Sequence, residues 1–157
     1  MKILVASDTH DMYMPLKKAV EKENDCQALI FLGDGERDFD IVTRNLYIDT
    51  YRVRGNNDWD SSIANSAVVD IGKHRFFLCH GHRYGVNSGL DLLASAAELN
   101  GCQCALFGHT HRRHYSFEHG IHLFNPGSLS LPRDGNGCSY GIITDEGGKL
   151  DFYFKNI

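Results

Sequence analysis

The sequence predicts an α/β fold in which strands and helices alternate early in the chain and strands dominate later. Short apolar segments alternate with amphipathic helical segments up to about residue 58, a pattern typical of a parallel sheet. After residue 66, strand-like segments separated by tight turns indicate antiparallel pairing. Several predicted strands end directly in Asp, Asn or His residues. The carboxyl ends of such strands are where open α/β sheets usually bind ligands.

The first half of the chain contains three predicted strands and two predicted helices. The opening apolar run begins at Lys2 and ends in polar residues at Asp8 and His10. Pro15 suits the first position of a helix that reaches about residue 23. A buried strand over 28–32 follows. Asp38 is then a candidate cap for a helix over about 39–46, and a third strand covers 50–53.

The second half is predicted to be mostly antiparallel. A hairpin signal at Gly72-Lys73 separates strands over 66–71 and 75–79. Ser88 is a candidate cap for a helix from about residue 89 to 99, which Asn100-Gly101 would close. Later strands are predicted over 105–107, 114–118, 121–124, 140–144 and 150–154. The absence of repeats and linkers predicts one domain over residues 1–157.

Composition narrows the function classes. The chain has 157 residues and a net charge of −4, so stable binding to nucleic acid is not expected. No apolar run is long enough to span a bilayer and no leader pattern is visible, which predicts a cytoplasmic protein without a membrane anchor. Five cysteines lie mostly inside apolar runs, and the pair Cys102-x-Cys104 is interpreted as buried thiols rather than as a metal site.

Nine histidines are the unusual feature of the composition, and eight of them lie at or after residue 74. Histidine is the commonest metal ligand in proteins, so a surplus at the ends of strands calls for an explanation. Four of the nine histidines are predicted to lie on the solvent face of hairpin strands rather than to bind metal. They are His74, His114, His119 and His122.

Five loops that follow predicted strands carry the polar groups. They supply carboxylates, an amide oxygen and imidazoles, a donor set that suits Mn²⁺, Fe, Zn²⁺ or Ni²⁺. Glycine in these loops lets the chain turn sharply after a buried strand. The loops are Asp8-x-His10, Gly33-Asp34, Gly55-Asn56-Asn57-Asp58, His80-Gly81-His82 and Gly108-His109-x-His111.

These motifs, in this order, closely resemble the calcineurin-like metallophosphoesterase superfamily, and most of all its small microbial phosphodiesterase branch. The resemblance implies two mixed β-sheets packed as a sandwich with helices on the outside (αββα), and a dinuclear metal site at the strand ends. It implies a metal-dependent phosphodiesterase in which a hydroxide that bridges the metals attacks the phosphorus. The two metal ions would most naturally be Mn²⁺, although Ni²⁺, Fe²⁺ or Zn²⁺ would also suit. By residue, the first metal would be held by Asp8, His10, Asp34 and His111, and the second by Asp34, Asn56, His80 and His109.

One position departs from the family pattern. The family usually has His after the metal-binding Asn, and that residue helps to stabilise the transition state or to protonate the leaving group. Here the position is Asn57, whose amide can hydrogen-bond a phosphate oxygen but cannot deliver a proton. We therefore expect a preference for good leaving groups, unless His82 or another residue supplies the proton. Asp58 is expected to brace its own loop or a neighbouring ligand.

Two other functions stay open at this stage. The chain could be a phosphomonoesterase that acts on phosphoproteins or nucleotides. It could also be a non-enzymatic scaffold, as a eukaryotic relative in membrane-coat assembly is thought to be. The expected partner is a small-molecule phosphate ester, and a homo-oligomer is possible. Either a dimer patch or ordinary packing would explain the aromatic residues Tyr13, Tyr47, Tyr51 and Trp59.

Overall fold

The computed structural model describes residues 1–60 and 62–157, and these residues form ten strands and three α-helices. The strands are β1 (Lys2–Ala6), β2 (Ala28–Phe31), β3 (Asp49–Arg52), β4 (Ser66–Ile71), β5 (His74–Cys79), β6 (Cys104–Leu106), β7 (Arg113–Glu118), β8 (Ile121–Pro126), β9 (Ser139–Glu146) and β10 (Lys149–Asn156). The helices are α1 (Tyr13–Lys22), α2 (Glu36–Thr43) and α3 (Asp91–Leu99), and a 3₁₀ turn covers His82–Tyr84.

The strands form two mixed sheets of five strands each. The first sheet has the order β10-β9-β1-β2-β3, and the second has the order β4-β5-β6-β8-β7. In the first sheet β1, β2 and β3 run parallel, whereas β9 pairs with β1 in the antiparallel sense. In the second sheet β5, β6 and β8 run parallel between antiparallel edge strands. The predicted mixture of parallel and antiparallel strands is confirmed.

The two sheets face each other, and the helices cover their outer surfaces. Side chains alternate along β1, so Ile3 and Val5 point into the core between the sheets while Leu4 and Ala6 point to the opposite face. Leu16 of α1 packs in that second cluster, and α3 packs on the outer face of the second sheet. This is the predicted αββα sandwich. The cysteines of the predicted Cys-x-Cys pair are buried in it.

All three helices begin at positions other than those predicted. Helix α1 begins at Tyr13, so Pro15 is its third residue and not its first; a proline fits there because the N–H groups of the first turn have no intrahelical acceptor. Helix α2 begins at Glu36 and contains Asp38, which is therefore not its cap. The backbone N–H of Glu36 donates to the carboxylate of Asp58, 22 residues further along the chain. A side chain from a distant loop therefore satisfies an N–H group at the N-terminus of α2. Helix α3 begins at Asp91, two residues later than predicted, and Ser88 is not its cap. Its predicted end is confirmed, because the Gly101 N–H donates to the Glu98 carbonyl.

One predicted solvent-face histidine is buried. His74 is 7% exposed, and its Nε2 lies 3.0 Å from the carboxylate of Asp145, near the end of β9. The prediction was wrong because the end of β9, in the first sheet, contacts the first residue of β5, in the second sheet, and strand alternation does not show a contact between sheets. His119 is exposed as predicted, whereas His114 and His122 are half-buried. Within the described residues, no helix is both long and apolar enough to cross a membrane.

Candidate metal centre

The five polar loops meet at one end of the sandwich. The Asp8 N–H donates to the Gly33 carbonyl at 3.0 Å, and the Gly108 N–H donates to the His80 carbonyl at 2.9 Å. The backbones approach so closely that a Cβ at Gly55 would collide with the backbone nitrogen and carboxylate of Asp34. Glycine at these positions therefore permits the loops to converge, as the sequence predicts.

Asp8 lies at the centre of the cluster and is fully buried. Its Oδ2 accepts the Ser7 hydroxyl at 2.6 Å and the His109 backbone N–H at 3.1 Å. Its Oδ1 accepts no hydrogen bond from the described residues, although the His111 Nε2 lies 3.1 Å away. The backbone carbonyl of Asp8 accepts hydrogen bonds from the hydroxyls of Ser128 and Ser130. These contacts fix one carboxylate oxygen and leave the other facing the histidines.

Two histidines have the orientation that metal ligands require. The His80 Nδ1 lies 2.7 Å from the Leu32 carbonyl, and the His111 Nδ1 lies 2.8 Å from the Leu131 carbonyl. Each Nδ1 must carry a proton to donate to a carbonyl, so the neutral ring presents its Nε2 lone pair to the cluster. The buried Nε2 of His80 has no hydrogen-bond partner among the described residues.

Ligand atoms from different loops converge on two overlapping groups. The facing atoms of Asp8, His10 and His111 lie within 4.8 Å of one another, and those of Asp8, Asp34 and His80 form a second such group. The Nε2 atoms of His10 and His111 are only 3.1 Å apart. Asp34 Oδ2 lies 3.4 Å from His80 Nε2 and 3.8 Å from His10 Nε2. Asp34 thus contacts members of both predicted metal sites.

The electrostatics of the cluster favour cations. Burial raises the pKa of Asp34, but contact with the His80 imidazole and hydrogen bonds from Asn57 outweigh this and hold the pKa well below its usual range. Burial lowers the pKa of His80, but the carboxylates of Asp34 and Asp8 outweigh it and raise the pKa. The Asp34 carboxylate is therefore ionised at neutral pH. A buried anion of this kind binds a divalent cation well.

The backbone of the ligand loops is unusual. Seven non-glycine residues in the described part of the chain have positive φ, and five of them are predicted ligands. Such conformations cost free energy, persist only where the surrounding structure holds them, and cluster at functional sites. The five predicted ligands with positive φ are Asp8, His10, Asp34, His109 and His111.

Asp58 braces the loop that contains Asn56 and Asn57, as expected from the sequence. One of its carboxylate oxygens accepts the N–H groups of Asp34 and Gly55, both at 2.8 Å. The other accepts the N–H groups of Gly35 and Glu36, at 2.8 and 3.0 Å. The 8% exposed carboxylate therefore joins two segments of backbone, residues 34–36 and the loop that contains Gly55.

The remaining predicted residues lie at the border of the cluster. The His109 ring is 5.1 Å from the His80 ring, and the His82 ring is 5.5 Å from it. Burial and the nearby imidazoles lower the pKa of both His109 and His82. The Asn56 side chain is exposed and makes no hydrogen bond with the described residues, so its ligand role stays a prediction. The Asn57 amide donates to Asp34 Oδ2 at 2.6 Å, a contact that sequence reasoning missed.

Residues 1–148 match the family model of the calcineurin-like phosphoesterase superfamily domain. The chain belongs to this superfamily. It is 30% identical over 148 residues to the probable metallophosphoesterase YsnB of Bacillus subtilis (strain 168), covering 93% of this chain and 85% of that one. It is 28% identical over 170 residues to the phosphodiesterase YfcE of Escherichia coli (strain K12), and the match covers 93% of this chain and 89% of that one. The solved structure of YfcE superposes with a TM-score of 0.71 over 92% of this chain and 89% of that one.

Membership of the superfamily and the kinship with small microbial phosphoesterases confirm the resemblance found in the sequence. The protein is a metal-dependent phosphoric ester hydrolase. The fold is also that of Vps29 of Entamoeba histolytica, solved in complex with Zn²⁺, with a TM-score of 0.78 over 99% of this chain and 98% of that one. At 19% identity, this likeness shows the fold alone.

Proposed function

We propose that the protein hydrolyses phosphodiesters with two divalent metal ions, most naturally Mn²⁺. The observation that carries this proposal is the position of Asp34, whose Oδ2 faces the Nε2 atoms of both His10 and His80. Two neighbouring cations need a shared anionic ligand to offset their repulsion, and a buried carboxylate between two sets of imidazoles meets that need. The first metal would be held by Asp8, His10, Asp34 and His111, and the second by Asp34, Asn56, His80 and His109.

The donor atoms fit such a centre. Asp8 Oδ1 and His80 Nε2 are buried, and neither has a hydrogen-bond partner among the described residues. Buried polar atoms are rarely left unsatisfied, and a bound cation would satisfy both. Bound divalent cations would supply an acidified water and would neutralise the charge that develops on the phosphate oxygens. Oxygen and nitrogen donors without thiolate suit Mn²⁺.

The chain offers little help to a poor leaving group. The Asn57 amide is already bonded to Asp34, and an amide cannot deliver a proton at neutral pH. General acid catalysis is worth roughly 10²–10⁴-fold, so its absence would slow alkyl esters the most. We propose that Asn57 holds Asp34 and orients a phosphate oxygen, and that activated diesters are preferred. His82, which lies next to His80, is the proposed alternative source of the proton.

The test is turnover of bis-aryl and mono-aryl phosphate by chelator-stripped protein after Mn²⁺, Ni²⁺, Zn²⁺ or Mg²⁺ is restored singly. Asp34→Ala should abolish metal-dependent diester cleavage, whereas Asp49→Ala, at an exposed position of β3, is the matched control. Faster cleavage of the monoester would favour the phosphomonoesterase alternative. Stoichiometric metal binding without turnover of either ester would refute the proposed activity and favour a scaffold.

The proposed partner is a small-molecule phosphate ester, in line with the name of the relative YfcE as a phosphodiesterase. Stable binding to nucleic acid is not expected from the acidic net charge. The cytoplasmic location and a homo-oligomeric state stay predictions. Of the four aromatic residues that either a dimer patch or ordinary packing would explain, Tyr47 and Trp59 lie apart, because Tyr47 precedes β3 whereas Trp59 lies beside the ligand loops at the other end of that sheet.

A further inference from the structure

A cavity of about 130 Å³ adjoins the ligand cluster on the side of α2. Two of the predicted metal ligands, His10 and Asp34, lie in its wall, and Arg37, Asn57 and Trp59 continue the wall away from them. Pockets that enclose a drug-sized molecule usually measure roughly 300–1,000 Å³, so this cavity would admit one small group. A phosphate held at the metal centre would place one of its substituents here.

Trp59 presents an aromatic face at this cavity from a fixed loop. Its side chain is 88% exposed. Its backbone N–H donates to the Glu36 carboxylate at 3.2 Å, and the Asp60 N–H donates to the same carboxylate at 3.0 Å. The preceding residue, Asp58, is held by its four backbone hydrogen bonds. The loop is therefore anchored on both sides of an indole that is free to contact a ligand.

The charged side chains around the cavity differ in whether they already have hydrogen-bond or ion-pair partners. The carboxylates of Asp34, Glu36 and Asp58 each accept hydrogen bonds from N–H groups, so their charge is partly compensated. Arg37 is exposed and has no ion-pair partner among the described residues. A guanidinium can hydrogen-bond a carbonyl or hydroxyl oxygen and can stack on a planar ring. Besides the exposed Asp11, the cavity thus offers one uncompensated cation and one aromatic face.

From this arrangement, and resting on the proposed phosphodiesterase activity, we propose that the cavity binds a planar heteroaromatic substituent of the substrate. The substrates would then be nucleotide-derived phosphodiesters, with the base stacked on Trp59 and a base or ribose oxygen hydrogen-bonded by Arg37. Stacking on an aromatic side chain tolerates any base, because every base has a π-face. Removing such a platform weakens binding roughly 5- to 150-fold. Trp59 is a specificity residue in this proposal.

Binding can be measured without catalysis, because Trp59 is the only tryptophan in the chain. We expect adenosine 5′-monophosphate to quench the tryptophan fluorescence of the protein saturably, with Mn²⁺ present. Ribose 5-phosphate, which lacks the base, should cause little quenching at the same concentrations. Arg37→Gln should weaken the nucleotide affinity several-fold. Quenching that is linear in nucleotide concentration, or equal for both ligands, would overturn the proposal.

The preference of the enzyme for a nucleotide diester over a methyl diester gives a second measurement. The ratio of kcat/KM for thymidine 5′-(4-nitrophenyl phosphate) to that for methyl 4-nitrophenyl phosphate should fall at least 5-fold in Trp59→Ala. Trp59→Phe keeps an aromatic face and should restore most of the ratio. Tyr47→Ala removes an aromatic side chain that is 97% exposed at the other end of the sheet, and it should leave the ratio unchanged.

The two proposals fail in different ways. If neither ester is hydrolysed with any metal, the phosphodiesterase proposal fails, and the fluorescence titration still decides whether the cavity binds the base. If both esters are hydrolysed but Trp59→Ala leaves the selectivity ratio unchanged, the cavity proposal fails and the phosphodiesterase proposal stands. Metal-dependent turnover of the methyl ester is thus the control for the catalytic centre.

Discussion

The exchange of Asp58 for Asn tests how the ligand loops are held together. Asp58 accepts four backbone N–H groups with its two oxygens, and it is 8% exposed. Asparagine keeps the size of the side chain but has one accepting oxygen, so two N–H groups would face an NH₂ group. A buried donor without an acceptor costs about 1–3 kcal/mol. Two such donors would cost about 2–6 kcal/mol, and because the N–H groups of Gly35 and Glu36 are only partly buried, we expect Asp58→Asn to lower the free energy of unfolding by about 2–4 kcal/mol.

The assay is urea unfolding of chelator-stripped protein, so that the scaffold is measured separately from metal binding. Asp60→Asn is the matched control, because Asp60 is two residues away, exposed, and accepts one local N–H from Ser62. The control should lose no more than about 1 kcal/mol. The Mn²⁺ affinity of Asp58→Asn should also fall, since two of the lost bonds hold the backbone at Asp34 and Gly55.

One result would refute this reasoning. If Asp58→Asn unfolds with the same urea midpoint and slope as Asp60→Asn, the four bonds contribute nothing specific to the fold. The slope matters because a change in it would mean that the unfolded or native state had changed in compactness. A loss of 2–4 kcal/mol would be a large share of the 5–15 kcal/mol typical of a domain.

Three other changes give separate tests. Gly55→Ala would force a Cβ into the Asp34 carboxylate, so Mn²⁺ binding measured by titration calorimetry should weaken at least 10-fold. Burial raises the pKa of Asp134, but N–H donors including those of Arg113 lower it to about 2, below its unfolded value of about 3.9. Its stabilisation, about 2 kcal/mol, is thus present above pH 4 and lost as the pH falls towards 2, and Asp134→Asn should flatten that part of a plot of Tm against pH. Asn57→His should raise turnover of alkyl esters relative to aryl esters by roughly 10²-fold, and an unchanged ratio would contradict the role given to Asn57.

Local patterns were enough to predict most of the fold. Strand alternation and turn residues are properties of neighbouring positions, so the hairpin around Gly72 and the end of α3 at Gly101 were placed correctly. The beginning of α2 could not be placed in this way. Its N–H groups are satisfied by Asp58 from another loop, and Asp38 is a better local cap than the observed Gly35.

In the candidate site, too, features set by neighbouring positions could be predicted from the sequence, whereas contacts between distant segments could not. Motif order predicted that Asp8, Asp34 and His80 lie close together, as they do, because a strand end fixes where each of them lies. The contact between Asn57 and Asp34 depends on how two loops pack, and no sequence spacing shows it. His74 was misplaced for a similar reason, since its partner Asp145 lies on β9, a strand of the other sheet. Contacts between loops are set by tertiary packing, which a single sequence does not display.

The positive φ angles explain why aspartate and histidine suit this centre beyond their donor atoms. Among non-glycine residues, Asn, Asp and His adopt the left-handed region most readily, and five predicted ligands lie there. Conformations of this kind cost of order 1–3 kcal/mol each, so the ligand loops weaken the fold that carries them. The hydrogen bonds to Asp58, the hydroxyls of Ser128 and Ser130 on the Asp8 carbonyl, and the close packing at Gly55 offset part of that cost. Metal binding would offset more of this cost, because a cation would bind carboxylates and imidazoles from several of these loops at once. The residues that surround the ligands therefore matter as much as the ligands themselves: they hold an unfavourable backbone in the geometry that a cation needs.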